Sequence, residues 1–161
     1  LAQLSDADLQ ALATYIMSYK DAQAEPGDAQ ALVQKTSETL RVPADAEGLR
    51  LYQGACMGCH SADPQGLLAK TTFGSRPQLV LNTNMHAASP HNAILAMLEG
   101  IQAPAHPELG TMPSFRYTLS DAQIATLLNT MRVQYGLPEW QNLQPTVAKL
   151  RADTDPAKAP H

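Results

Sequence analysis

Apolar residues recur at steps of three and four in several stretches of this 161-residue chain, and no stretch alternates convincingly in the manner of a half-buried strand. The pattern predicts an all-α chain. From Leu1 to about Tyr19 the spacing of Leu4, Leu9, Leu12 and Ile16 predicts a helix with a single apolar side. A second helix is expected from about Ala46 to Met57, carrying Leu49, Leu51 and Tyr52, with Gly48 small enough to let another helix cross closely. Ser89-Pro90 opens a third with Pro at its first position; Ile94, Leu95, Met97 and Leu98 follow, and Gly100 stops it. A fourth starts at Ser120, where Gln123 completes a capping box, and Ile124, Leu127, Leu128, Met131 and Tyr135 line one face before Gly136.

Between and beyond these elements the pattern weakens. Lys20 to Pro43 is rich in Ala, Gln, Asp and Glu, is broken by Pro26-Gly27, and reads chiefly as a linker, although Asp28 caps a conceivable short helix with Leu32 and Val33. The run Ser61-Ala62-Asp63-Pro64-Gln65-Gly66 is a loop of turn formers. Near the end, Trp140, Leu143, Val147 and Leu150 form an amphipathic piece. It has three destinations: a partner subunit, a membrane surface, or its own domain, of which the last is preferred. The residues from Asp153 to His161 are expected to be disordered.

Composition narrows the function. A net charge of −4 with no Lys/Arg cluster excludes the basic face that nucleic acid requires. No apolar run approaches the length of a bilayer span. The chain opens Leu1-Ala2-Gln3 and reads as a mature or excised piece of a longer product. Aromatic residues make up only 5%, so a domain of about ninety residues would be short of buried surface without some other large group at its centre.

The two cysteines supply that group. They stand in Cys56-Met57-Gly58-Cys59-His60, the attachment signature of a c-type haem. Two thiols three residues apart lie on one helical turn and can each add to a haem vinyl group, and the adjacent His60 is then held beneath the iron as the proximal ligand. Three other readings compete. A zinc site needs two further ligands, and there is no second Cys pair or His-x-x-x-His. A redox Cys-x-x-Cys belongs in a strand-helix-strand setting, which is not evident here. A disulfide leaves His60 unexplained.

For the second axial ligand the candidates are Met85, His86, His91, Met97, His106, Met112 and Met131. Met97 and Met131 fall in helical apolar stripes, where methionine is usually core filler. Met112 lies in Leu109-Gly110-Thr111-Met112-Pro113-Ser114-Phe115, a Gly- and Pro-bounded loop able to push one side chain to a fixed depth. His106, in Pro104-Ala105-His106-Pro107, is its closest rival. Met/His ligation favours Met112 and an electron carrier. The alternative is a haem enzyme or gas sensor with an open sixth position, with His86, His106 or Arg116 acting above the iron.

The haem motif, the Met112-Pro113-x-Phe115 loop and the helix opened by Leu119-Ser120-Asp121 together resemble a class I cytochrome c domain. Residues 46 to 152 are similar to the last haem domain of the multi-haem cytochrome subunits of bacterial periplasmic dehydrogenases. Leu81-Asn82-Thr83-Asn84-Met85-His86 and Thr146-Val147-Ala148-Lys149-Leu150-Arg151 look closest to the molybdenum-hydroxylase-linked group. Two positions depart from the pattern: Ser61 follows the haem histidine where Gly is common, and the next loop holds few glycines. The resemblance implies one covalent haem c held by Cys56, Cys59, His60 and Met112, with His60 and Met112 on the iron. It further implies a catalytic partner of molybdenum, quinoprotein or flavin type, further haem domains upstream on the same polypeptide, and quinone or a terminal oxidase as acceptor. The setting it implies is the periplasm, along the outer face of the inner membrane.

An internal repeat points the same way. Leu4-Ser5-Asp6-Ala7 recurs as Leu119-Ser120-Asp121-Ala122, and the register pairs Leu9 with Ile124, Leu12 with Leu127 and Ile16 with Met131. The chain therefore divides into 1–19, the closing helix of a preceding cytochrome c domain; 20–45, a linker; 46–136, a cytochrome c domain; and 137–161, an amphipathic and disordered tail.

Overall fold

A computed structural model of the chain describes residues 5–18, 38, 40, 44–60, 68–71, 74–77, 79–104 and 110–158. The linker helix expected after Asp28 and the loop Ser61 to Gly66 lie outside the described residues.

Helix α1, Asp6–Ser18, begins where Ser5 and Asp8 cap each other: the Asp8 N–H donates to Ser5 Oγ (3.2 Å) and the Ser5 N–H to Asp8 Oδ2 (3.1 Å). The two hydrogen bonds from Ser5 hold the exposed Asp8 carboxyl below its ordinary pKa. Helix α2, Ala46–Ala55, starts at Asp45, whose carboxylate accepts from the N–H groups of Glu47 and Gly48. Beyond it come a β-ribbon, the single turn α3 (Thr83–His86, capped by Asn82), α4 (His91–Glu99), α5 (Asp121–Gln134) and α6 (Leu143–Asp153). Pro90 takes the N-cap of α4, one position earlier than expected, and its carbonyl accepts from Ile94 N–H at 2.9 Å. The capping box of α5 forms as read, Gln123 N–H to Ser120 Oγ at 3.2 Å and Ser120 N–H to Gln123 Oε1 at 2.9 Å.

The architecture is all-α with one addition. Strands β1 (Leu68–Thr71) and β2 (Gly74–Pro77) pair antiparallel, Leu68 opposite Pro77 and Thr71 opposite Gly74, where the sequence pattern offered no strand. Strands of four residues give little room for a two-residue period, so the apolar pattern did not reveal this ribbon.

The core forms where α5 packs against α2 and α6. Gly48 makes the first crossing possible, because a Cβ there would lie 1.8 Å from Thr130 Oγ1. Ile94, Leu98, Ile124, Leu127, Leu128 and Val147 are the largest side chains sealed completely from solvent. The expected stripe of α5 is buried throughout, Tyr135 included.

The amphipathic C-terminal piece folds onto its own domain. Trp140 is buried and its Nε1 donates to Ala87 O (3.1 Å), while Asn129 brackets its backbone with one hydrogen bond to each side, 3.0 and 3.2 Å. Arg132, a residue the periodicity assigned no role, is buried beside it. Its guanidinium lies 4.1 Å from the Trp140 ring centroid and donates to the carbonyls of Pro138, Met85 and Ala87. Past Asp153, where disorder is expected from the sequence, Thr154 is tied back to the loop before α5 and Pro156–Lys158 form a 3-10 turn; residues 159–161 lie outside the described residues.

Candidate haem site

Helix α2 ends at Ala55 and Cys56 serves as its C-cap. The chain then closes a tight turn in which the N–H groups of Cys59 and His60 both donate to the Cys56 carbonyl, at 3.0 and 2.8 Å. Both thiols and the imidazole are thus carried on one turn continuous with a packed helix. Cys56 is buried in the core, and Cys59 and His60 are half-buried. Tyr52, one turn back on α2, donates its hydroxyl to the His60 carbonyl and so ties the end of the turn to the helix that precedes it. This donor was not legible in the sequence, where Tyr52 reads only as an apolar helix position.

The environment separates the competing chemistries. Burial, and then the neighbouring Cys59, push the Cys56 thiol up to about 11, so it is neutral near pH 7. A redox Cys-x-x-Cys needs the opposite shift, toward thiolate. Among the described residues no group of three or more His, Cys, Asp or Glu side chains converges on a metal site. Two thiols, an imidazole and an apolar surround fit a covalently held haem.

Met112 is carried by the segment between α4 and α5. That segment starts at Gly100, whose φ of 71° turns the chain and whose missing side chain makes room: a Cβ would lie 2.5 Å from Met112 O. Ile101 and Met112 exchange two backbone hydrogen bonds of 2.9 Å, and Phe115 N–H donates to Met97 O at 2.8 Å. Met112 is half-buried and packs against the same apolar cluster that contains Cys56. Met85, Met97 and Met131 lie inside that cluster, each at least 96% buried. His86 is exposed, its Nε2 2.6 Å from Val80 O, and His91 faces the Ser89 hydroxyl. His106 lies outside the described residues. Arg116, one of the three residues named for the open-site alternative, has protein partners instead. It is buried against the C-terminal helix, where Glu99, Arg151 and Thr154 occupy its guanidinium.

Residues 43–129, more than half of the chain, match the family described as cytochrome c oxidase, cbb3-type, subunit III, and the chain belongs to that cytochrome c family. It is an electron-transfer domain working through a haem rather than a substrate-oxidising catalyst. It is 36% identical over 156 residues to a nicotinate dehydrogenase subunit from Pseudomonas putida, a stretch covering 95% of this chain and 12% of that protein. It is 30% identical over 169 residues to the fructose dehydrogenase cytochrome subunit of Gluconobacter japonicus, covering 92% of this chain and 32% of that one. The chain spans a third or less of either relative.

Proposed function

We propose that this domain is a one-electron relay with a single covalent haem c, in which Cys56 and Cys59 hold the group by thioether bonds and His60 and Met112 are the axial ligands. The observation that carries the reading is the Cys56-to-His60 turn, fixed to α2 at both of its ends, together with a methionine loop anchored on the cluster that includes Cys56. The bound haem supplies iron that alternates between ferrous and ferric. The chain's part is to keep both axial positions filled and to surround the site with apolar side chains, so that an electron enters or leaves without a change of ligands.

The names of the relatives support a dehydrogenase as the electron source; its molybdenum, quinoprotein or flavin type, and quinone or a terminal oxidase as acceptor, are our reading from the sequence resemblance. We read the setting as periplasmic, with attachment of the haem after export, as the sequence resemblance implies. Among the described residues no helix is long and apolar enough to cross a membrane. Residues 1–19 we assign to the end of a preceding haem domain, on the strength of the sequence repeat and of the capping box that α1 shares in kind with α5.

Absorption and ligand binding test the axial pair. The haem-loaded protein is expected to be low-spin and six-coordinate in the ferric state, with the weak red-edge band of sulfur on iron. Met112→Ala is expected to lose that band and to bind CO rapidly when reduced. A high-spin wild type, or an unchanged Met112→Ala spectrum, overturns the assignment.

A further inference from the structure

Four residues beyond Met112, the chain is tied to a helix lying outside the family match, which ends at residue 129. Arg116, only 6% exposed, donates through Nη1 to Arg151 O (2.9 Å) and through Nη2 to Thr154 O (3.2 Å), Thr154 Oγ1 (2.6 Å) and the Glu99 carboxylate. A cation is thereby set against the last carbonyls of α6, where the helix dipole favours it. Arg151 reciprocates. Its Nη1 donates to Arg116 O, its Nη2 to Leu119 O (2.9 Å) and its Nε to Asp121 Oδ1 (2.7 Å). Thr154 Oγ1 also lies 3.1 Å from Glu99 Oε1, at the end of α4. The C-terminal end of α6 therefore grips both flanks of the segment that carries Met112: Glu99 on the α4 side, Arg116 and Leu119 on the α5 side.

The other restraints on the described part of this segment are uncharged: the Ile101–Met112 backbone pair, Phe115 N–H on Met97 O, the Gln102 amide on Met112 O (3.3 Å), the Ser114 hydroxyl on Leu98 O, and the apolar packing of Met112 and Phe115. Each such hydrogen bond is modest, whereas bonds to a charged, buried guanidinium are stronger and costly to leave unmade.

We propose that α6 is a latch on the methionine loop, and that Arg116, Arg151 and Thr154 are positioning residues that set how long Met112 stays on the iron. The latch rests on Met112 being the axial ligand. Its predicted signature is kinetic: loosening the loop lets the thioether leave more often, while the equilibrium ligand and the overall fold persist.

The experiment measures imidazole binding to the ferric, haem-loaded protein, where departure of the internal ligand limits the rate, beside the red-edge sulfur band and the far-UV circular dichroism. Arg151→Gln is expected to speed binding by roughly tenfold or more, as the loss of charged hydrogen bonds implies, with the sulfur band and helix content kept. Arg151→Lys should not rescue it, since an ammonium cannot serve three acceptors in a planar fork. Thr154→Val removes a single hydroxyl and is expected to give a smaller acceleration of the same kind, readable even if Arg151→Gln fails to fold. Lys149→Ala, on the exposed side of α6, is expected to leave the rate unchanged. Unchanged binding in folded Arg151→Gln and in Thr154→Val, while Met112→Ala abolishes the band, overturns the latch and spares the ligand assignment. Persistence of the band in Met112→Ala removes the ligand assignment, and the latch falls with it.

Discussion

Glycine inside a helix costs about 1 kcal/mol relative to alanine, so Gly48 weakens α2 as an isolated helix. The crossing with α5 reverses the balance, because an alanine Cβ would meet Thr130 Oγ1 at 1.8 Å, Cβ at 2.6 Å and Cγ2 at 2.9 Å. Overpacking of this kind costs about 1–3 kcal/mol, which exceeds the gain in propensity. Gly48→Ala is therefore expected to lower stability by up to about 2 kcal/mol in denaturant titration. Adding Thr130→Ala should recover part of that loss, since Oγ1 and Cγ2 leave but Cβ stays; a neutral single mutant would show that the helices separate freely. At this scale the sequence was partly legible. Gly48 stood out as a small residue on an otherwise apolar helix, and Cys56, Cys59 and His60 stood out because their spacing is local. The hydroxyl that Tyr52 directs to the His60 carbonyl did not, because whether a helical tyrosine is mere filler or a donor depends on where the chain returns eight residues later.

Among the elements, the helices with clear border signals were legible: the side-chain capping box of Ser120 with Gln123 for α5, and the positive-φ Gly100 after α4. The ribbon and the single turn α3 were not, being too short to hold a period. Arg132 shows a further limit. Near a helix C-terminus an arginine ordinarily reads as a solvated cation matched to the dipole. Here it joins three segments, with α5 supplying the guanidinium, the α3 region the Met85 and Ala87 carbonyls, and the turn after α5 the Pro138 carbonyl, while Trp140 stacks on its face. Replacing it leaves the buried Met85 carbonyl without this donor and breaks the links to Ala87 and Pro138. Arg132→Leu is expected to cost about 3 kcal/mol or more, and Arg132→Lys nearly as much, because a point charge cannot reproduce the planar fork. Thermal unfolding of the haem-loaded protein followed by circular dichroism measures this; a lysine variant as stable as wild type would mean that charge alone is used there.

For the whole molecule, the contrast between α1 and α5 bears on our assignment of the N-terminal helix. Both open with a serine cap closed by a reciprocal side-chain bond three residues on. Both follow with apolar residues in the same register, yet Ile124 and Leu127 are completely buried, while Leu9 and Leu12 are 40% and 44% exposed. A helix built to the same pattern but left facing solvent fits one that closes a different haem module. That assignment separates two outcomes. If α1 serves another module, substituting its apolar face leaves the stability of residues 46–158 nearly untouched; if it packs on this one, the cost approaches that of a core truncation. Leu9→Gln with Leu12→Gln is the appropriate pair, since glutamine has nearly the helix propensity of leucine and only the apolar contact is lost. The expected change is within about 0.5 kcal/mol, against about 3 kcal/mol for Ile124→Ala in the same assay, unfolding followed at the haem absorption band. In a polypeptide that includes the upstream module, the same pair is expected to destabilise that module instead. A loss in the present chain comparable to that of Ile124→Ala would place α1 in this domain's own core and overturn its assignment to a neighbour.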